Sequence, residues 1–259
     1  MTPFHALHRD GLLILPNAWD GGSAALMRSL GAKAVATSSA GAAWSLGWPD
    51  GDALPVERVV QAAHDVVRAA QGLPVSVDFE GGYSDDPAEV AALAGRLVET
   101  GAQGINIEDG GGAPEALAAK IAAIRTAVGP ELFINARCDL WLRGVGAAEG
   151  RVDEALRRAG IYAAAGADGF FAPGLVETPG IAALTAGTSL PINLLAFPGL
   201  PGAEALERLG VRRLSAGSGL ASAAYGRTAA LTRDFLVDGA SEPMMAGGLP
   251  WAEMNALMP

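Results

Sequence analysis

The chain has 259 residues, of which half are hydrophobic and 18% are charged, so it can bury a large core and is not expected to be disordered. A formal charge of −10 argues against a nucleic-acid-binding surface, and a single cysteine, Cys138, excludes an internal disulfide framework and a cysteine-based zinc cluster. No stretch predicts a membrane span and the N-terminus lacks the pattern of a secretory signal, so we expect a soluble, cytoplasmic protein with neither nucleic-acid nor membrane partners.

A glycine followed by a short apolar run recurs along the chain, most clearly at Gly31, Gly101, Gly166 and Gly210. Glycine is favoured just after a helix because that position takes a left-handed backbone, and each short apolar run fits a buried parallel strand. We therefore predict eight strands, which in chain order are residues 12–15, 34–37, 75–78, 104–107, 132–136, 169–171, 192–194 and 212–215.

A helix is predicted after each strand. The segment that begins at Asp86 shows the signals best, with an N-cap acid, a proline at the first helical position, and Val90, Leu93 and Leu97 on one face. The other predicted helices run from Asp20 to near Gly31, from Pro55 to Gly72, from Pro114 to Gly129, and over residues 151–165, 178–186, 202–209 and 218–237.

Eight strand–helix units in about 250 residues predict a TIM (β/α)8 barrel of the α/β class. The alternative is a doubly wound open sheet, which usually has fewer strands and a glycine-rich phosphate turn after the first strand. That turn is absent here, and no linker interrupts the series. We predict one barrel domain over residues 1–259 with a helical tail at about 238–259, whose apolar Trp251, Met254 and Leu257 are expected to cover the barrel or a neighbouring subunit.

Acidic residues follow several predicted strands, at the end where barrel enzymes place their chemistry. Asp78 and Glu80 follow the third strand, Glu108 follows the fourth, and Asp50 lies in the long second loop. Four carboxylates near one point need compensation, and Mg²⁺, or alternatively Mn²⁺, suits all-oxygen ligands better than zinc. Taken singly, each acid could instead be a helix cap or a partner of a helix dipole.

Arg137 follows the fifth strand and can hold a substrate carboxylate through its planar fork. The alternative is a salt bridge from Arg137 to Glu108 or Asp139. We take Arg137, Glu108 and Asp50 as the candidate catalytic residues.

Small and polar residues at three other strand ends are candidates for substrate binding. Thr37 ends the second strand, and Ser38, Ser39, Ala40 and Gly41 after it can present hydroxyl and N–H groups to a carboxylate or enolate oxygen. Asn193 ends the seventh strand and Ser215 the eighth. The run from Ser215 to Gly219 could hold a phosphate at the start of the last helix, or could simply allow tight packing of that helix.

Together, five motifs resemble the isocitrate lyase and phosphoenolpyruvate mutase superfamily over about residues 4–218. The motifs are Leu15-Pro-Asn-Ala-Trp-Asp20, Leu46-Gly-Trp-Pro-Asp50, Val77-Asp78-Phe-Glu80-Gly-Gly-Tyr83, Gly104-Ile-Asn-Ile-Glu108-Asp109 and Ile134-Asn-Ala-Arg137-Cys-Asp139. The resemblance implies a β/α barrel whose last helix is exchanged between subunits, typically in tetramers. We therefore expect a homo-oligomer, either a dimer or a tetramer.

The resemblance also implies a site. Mg²⁺ is expected to contact Asp78 directly, while Asp50, Glu80 and Glu108 hold its waters. A 2-oxo acid is expected to chelate the metal, with its carboxylate on Arg137, Ser39 and neighbouring backbone amides. The family's reactions make or break a C–C or P–C bond beside a pyruvate enolate.

The loop after the fourth predicted strand departs from the family pattern. Family lyases carry Lys-Lys-Cys-Gly-His or a similar run there, with the cysteine as acid or base, whereas this chain has Asp109-Gly-Gly-Gly-Ala-Pro114. We expect a Mg²⁺-dependent enzyme that cleaves a C–C bond of a 2-oxo or 2-hydroxy dicarboxylate, as a lyase or decarboxylase. The alternatives are P–C chemistry, as a mutase or phosphonopyruvate hydrolase, and non-catalytic binding of a 2-oxo acid.

Overall fold

The computed structural model describes residues 2–259, which form nine parallel strands, twelve α-helices and two short 3-10 helices, Gly129–Glu131 and Ala148–Gly150. The strands are β1 (Leu13–Leu15), β2 (Asn17–Ala18), β3 (Val35–Thr37), β4 (Val75–Asp78), β5 (Gly104–Glu108), β6 (Phe133–Arg137), β7 (Gly169–Phe171), β8 (Ile192–Leu195) and β9 (Arg213–Ser215). The helices are α1 (Pro3–Ala6), α2 (Gly21–Ser29), α3 (Ser39–Ser45), α4 (Val56–Ala70), α5 (Pro87–Glu99), α6 (Pro114–Val128), α7 (Arg151–Ala165), α8 (Thr178–Gly187), α9 (Ala203–Arg208), α10 (Gly219–Asp238), α11 (Glu242–Met245) and α12 (Trp251–Leu257).

The sheet closes on itself through two short strands on either side of Pro16, which has no N–H to donate. The predicted first strand, residues 12–15, corresponds to β1, whereas β2 lies between it and the helix predicted from Asp20 and was not predicted. β1 and β2 are the two ends of the strand order, and they pair with β9 and β3, respectively. The predicted TIM-like α/β barrel is confirmed, with β2 as an additional ninth strand.

The barrel is filled from its lower end, where the strands begin. Phe4 from α1 is completely buried in a cluster with Leu13, Leu15 and Phe133 and with two alanines of the second strand–helix unit. Gly104 starts β5 directly against this ring, since a Cβ there would lie 2.6 Å from Phe4 Cε1. Apolar side chains therefore close the lower end, and the polar strand ends lie at the opposite mouth.

The last long helix, α10, packs poorly on its own barrel. Ala221 is its one buried residue within the described chain, while Leu236 and Val237 are 78% and 82% exposed. An apolar cavity of about 560 Å³ lies over the outer face of β1 and β9, where it includes Ile14 and Leu220. The expected exchange of this helix between subunits stays a prediction.

The tail after α10 folds back onto the same chain. Leu257 of α12 packs against the apolar cluster around α2, and its carbonyl accepts a hydrogen bond from Arg28 Nη2 at 2.9 Å. Trp251 is nevertheless 80% exposed. Among residues 2–259, no helix combines the length and hydropathy that crossing a membrane requires.

Candidate active site at the mouth of the barrel

Asp78 ends β4 and is held by the neighbouring strand end. Its backbone N–H donates to Thr37 Oγ1 at 2.8 Å, and its Oδ2 accepts from the backbone N–H of Ser39 at 3.2 Å. Thr37 was predicted to bind substrate, but its hydroxyl accepts a hydrogen bond that helps to position Asp78, the expected metal ligand. The Ser39 N–H is likewise engaged with Asp78, so binding of a substrate carboxylate by Ser39 stays a prediction.

Glu80 is held by the loop that carries Asp50. Its Oε2 accepts from the backbone N–H groups of Gly51, at 2.9 Å, and Asp52, at 2.5 Å, and its Oε1 accepts from the Tyr83 hydroxyl. Burial raises the pKa of Glu80, against the hydrogen bond from Tyr83, which lowers it. Asp50 itself is exposed, and its charge also acts on Glu80. The predicted acids of the second and third loops are therefore brought together.

Glu108 and Arg137 form a close pair across β5 and β6, where they stand in register. Arg137 Nη1 lies 2.5 Å from Glu108 Oε2, and the Nε and Nη2 groups of Arg137 donate to Asp139 at 2.7 and 3.0 Å. Burial raises the pKa of Glu108 to about 8, against the lowering effect of Arg137. A carboxyl group in that range can take up and release a proton near neutral pH.

The expected salt bridges of Arg137 do not consume the whole guanidinium. Three of its five N–H groups face Glu108 and Asp139, which leaves one N–H on each of Nη1 and Nη2. Because Asp139 accepts two hydrogen bonds from one edge of the Arg137 guanidinium, this group is oriented before any ligand binds. Bracing and ligand binding are therefore compatible at Arg137.

A buried network behind this pair fixes Asp139. The side chain of Asp109 is fully buried and accepts from Arg158 Nη1 and the Tyr162 hydroxyl, both at 2.7 Å. Asp109 Oδ1 also accepts from the backbone N–H groups of Asp139, at 3.0 Å, and Gly111, at 2.8 Å. Two side chains of α7 thus position the strand end that carries Arg137.

The donors at the mouth fit a hydrated Mg²⁺ or Mn²⁺ ion. No group of three histidine, cysteine or acidic residues within residues 2–259 converges closely enough to form an all-protein cage. Mg²⁺ usually keeps several waters and takes one or two carboxylates, so such a cage is not required. Asp78 would contact the ion, and Asp50, Glu80 and Glu108 would hold its waters.

The small-residue run after Thr37 forms a helix, α3, rather than an open loop. The Ser38 hydroxyl is buried and caps this helix by accepting from the Gly41 N–H at 3.2 Å. Ala40 is 7% exposed, and a Cβ on Gly41 would lie 2.8 Å from the Cβ of Trp19. Of this run, the structure brings the Ser39 amide to Asp78, whereas Ser38, Ala40 and Gly41 are engaged in the helix and its packing.

Asn193 and Ser215 lie together inside the barrel. Each is 1% exposed, and the Ser215 hydroxyl donates to Asn193 Oδ1 at 3.1 Å. Ser215 Oγ also accepts from Nε of Arg213, which is completely buried. Arg213 was not predicted as a site residue, because a charged residue inside a barrel has no local signal in the sequence.

Four further side chains at the mouth were not predicted as site residues, namely Tyr83, Lys120, Arg143 and Arg158. Tyr83 lies within the motif around Asp78, and the three-residue spacing from Glu80 was a usable signal. Lys120 and Arg158 come from helices whose faces look ordinary in the sequence. Their roles depend on distant partners, which are Gly81 for Lys120 and Asp109 for Arg158.

Comparison with known proteins identifies a family and several relatives of this chain. Residues 4–236 match the family described as phosphoenolpyruvate phosphomutase. An uncharacterized protein of Mycobacterium tuberculosis is 39% identical over 98% of this chain and 95% of its own length. An oxaloacetate decarboxylase of Ectopseudomonas mendocina is 31% identical over 64% of this chain and 60% of its own length.

Solved structures share the architecture. A Burkholderia cenocepacia J2315 protein assigned as a phosphonomutase superposes with a TM-score of 0.83 at 39% identity, covering 89% of this chain and 97% of that one. A phosphonopyruvate hydrolase in complex with oxalate and Mg²⁺ gives a TM-score of 0.84 at 21% identity, over 98% of this chain and 93% of that one. At 21% identity the likeness shows the fold alone.

Proposed function

Since the chain belongs to the phosphoenolpyruvate phosphomutase family, within the isocitrate lyase and phosphoenolpyruvate mutase superfamily, we propose that it is a Mg²⁺-dependent enzyme acting on a 2-oxo or 2-hydroxy dicarboxylate. The observation that carries this proposal is the oriented Arg137, gripped by Asp139 and paired with Glu108. Asp78 contributes to the electrostatic field at both Arg137 and Glu108.

Different residues of the chain bind the substrate and the metal ion. The two remaining N–H groups of Arg137 receive the substrate carboxylate. The Ser39 N–H donates to Asp78 Oδ2 and so helps to hold the expected metal ligand in place. Asp78, Asp50, Glu80 and Glu108 hold the ion, directly or through water. When bound, Mg²⁺ supplies positive charge that stabilises negative charge developing on the 2-oxo group.

C–C bond cleavage or decarboxylation is the reaction we favour. Relatives of 30% identity or more include oxaloacetate decarboxylases and 2-methylisocitrate lyases, although these matches span about half to three quarters of those proteins. The test is turnover of oxaloacetate, 2-methylisocitrate and phosphonopyruvate with Mg²⁺, measured above a protein-free blank and scored by formation of pyruvate, succinate, phosphate and phosphoenolpyruvate. Pyruvate without phosphate supports the proposal, whereas phosphate or phosphoenolpyruvate formed from phosphonopyruvate would favour P–C chemistry.

Non-catalytic binding of a 2-oxo acid is the second candidate, and one observation favours it. The loop from Asp109 to Pro114 carries a single ionisable side chain, and that side chain, Asp109, is fully buried in its network. Binding of oxalate with Mg²⁺ but no turnover of any of the three substrates would support this candidate.

We also propose a homo-oligomer in which α10 of one subunit covers the apolar cavity over β1 and β9 of another. Ile14 is 60% exposed in that cavity, and the exposed end of α10 supplies apolar side chains to match. Light scattering at micromolar concentration should give a dimer or tetramer, and Ile14→Lys should reduce its mass while the chain stays folded. A monomeric wild-type protein would contradict the proposal.

A further inference from the structure

A polar cavity opens beside the candidate active site, on the side of Glu108 that faces away from Arg137. It has a volume of about 390 Å³ and is lined by the loops after β4 and β5, and by the cations Lys120 and Arg143. Glu108 lies between this cavity and Arg137. One of its oxygens pairs with Arg137 at 2.5 Å, and the other lies 3.8 Å from Arg143 Nη2. The two guanidinium groups therefore flank one carboxylate.

The glycine loop creates the space. Gly110 and Gly111 take left-handed backbone conformations with φ of +56° and +77°, and a Cβ on Gly110 would meet nothing within 4 Å. A Cβ on Gly111 would lie 2.8 Å from Val145 and 3.6 Å from Arg143 Cδ. The loop thus lies against the stem of Arg143, and Asp109 fixes it there through the Gly111 N–H.

Arg143 has donors to spare. Its side chain is 57% exposed, and its contacts with Asp139 and Glu108 are long, at 3.4 and 3.8 Å. Arg137 already holds both acids at shorter distances. Within the part of the chain that the structure describes, neither Nη of Arg143 donates a hydrogen bond. An exposed pair of this kind is weak, so an incoming anion can replace it.

Four acidic residues also line the cavity, namely Asp52, Asp85, Glu108 and Asp109, and its second cation, Lys120, is engaged by two neighbours. Lys120 Nζ donates to the Gly81 carbonyl at 2.7 Å and lies 4.0 Å from Asp85. The carboxylate of Asp109 is fully buried against Arg158 and Tyr162. Arg143 is therefore the cation of this cavity that is available to a ligand.

We propose that Arg143 recognises the second anionic group of the substrate, at the far end from the carboxylate held by Arg137. This inference rests on the proposed function and sharpens it, because it makes a dianionic 2-oxo acid the preferred ligand over pyruvate. The shared chemistry is an oxyanion close to the 2-oxo group, either a carboxylate or a phosphonate. Arg143 then supplies the charge at the mouth, where the glycine loop supplies none.

Calorimetric titration in the presence of Mg²⁺ tests this with four ligands. Oxalate probes the first subsite alone, pyruvate lacks the distal anion, 3,3-difluorooxaloacetate carries a distal carboxylate, and phosphonopyruvate a distal phosphonate. Arg143→Gln should weaken at least one of the last two by about 10-fold or more, the range of a charge-assisted hydrogen bond. Binding of oxalate and pyruvate should change by less than about 2-fold.

Arg143→Lys, which retains the charge, should recover part of the loss, and Arg208→Gln, at an exposed pair on α9, should change nothing. Equal losses for oxalate and for the two ligands with a distal anion, or no loss for either of those two ligands, would overturn the role of Arg143 while leaving the proposed function in place. Failure of the wild-type protein to bind oxalate with Mg²⁺ would overturn both.

Discussion

At the lower end of the barrel, His8 stacks on Phe133 with ring centroids 4.1 Å apart, and its Nδ1–H donates to the Phe4 carbonyl at 2.8 Å. Burial, with Arg213 adding to it, lowers the pKa of His8 to about 3, so the side chain stays neutral. At the mouth, the buried Asp109 and Asp139 face Arg158 and Arg137 at hydrogen-bond distance. At the lower end, burial therefore keeps His8 uncharged. At the mouth, Asp109 and Asp139 are each paired with a guanidinium group.

Removing one partner of a buried pair at the mouth should have the largest effect. Asp109→Ala leaves Arg158, whose side chain is 6% exposed, with Glu154 as its remaining acidic partner. We expect the free energy of unfolding to fall by about 3–5 kcal/mol, the usual cost of removing one partner from a buried ion pair.

Chemical denaturation measures this effect, with Glu115→Ala as the control. Glu115 is 70% exposed and lies 3.7 Å from Arg157, so its loss should cost less than about 1 kcal/mol. Similar costs for the two variants would show that the network at the mouth is no stronger than a surface pair.

Arg137→Lys keeps the charge at the mouth but loses the planar fork. Oxalate affinity in the presence of Mg²⁺ should fall by about 1.5–3 kcal/mol, because a charge-assisted bond is lost. Melting temperature and affinity should be measured on the same sample. A lower melting temperature with unchanged affinity would mean that Arg137 only braces Glu108 and Asp139.

His8 should give the lower end a distinct pH dependence. In the unfolded chain His8 binds a proton below its ordinary pKa of about 6.5. In the folded chain it binds that proton only when the pH falls to about 3. The stability contribution is thus fully present above pH 6.5 and is lost as pH falls from 6.5 towards 3. Between pH 7 and 5 the loss from this residue should be about 2 kcal/mol.

The comparison is between wild type and His8→Gln, with unfolding measured at each pH. The variant should lose this part of the pH slope, whereas His64→Gln, at an exposed histidine of α4, should retain it. An unchanged slope in His8→Gln would show that His8 is not held neutral.

Local signals made the barrel predictable. A glycine after each helix and a short apolar run after each glycine mark boundaries that depend on neighbouring residues alone, and the helices from Arg151 and Pro114 begin where they were predicted. The short strand β2 after Pro16 and the helix α3 were not predicted. Pro16 interrupts pairing with two different strands, and the small residues after Thr37 resemble a loop until the Ser38 cap forms.

The acidic residues of the candidate site could be predicted from the sequence, but their hydrogen-bond and ion-pair partners could not. Asp78, Glu80, Glu108 and Arg137 follow strands and could be placed at one end of a barrel. The hydrogen bonds that orient them join positions far apart in the chain, such as Arg158 to Asp109 and Ser39 to Asp78. Sequence spacing does not encode such partners. The structure shows the salt bridges of Arg137, and ligand binding by this residue stays a prediction.

The account depends most on Asp78 as the residue that holds the metal. Calorimetric titration of oxalate, with and without Mg²⁺, tests it on wild type, on Asp78→Asn and on the control Asp65→Asn, which changes an exposed acid of α4. We predict Mg²⁺-dependent oxalate binding by wild type and the control, and none by Asp78→Asn with an unchanged melting transition. Oxalate binding that needs no Mg²⁺, or that survives in Asp78→Asn, would contradict the account.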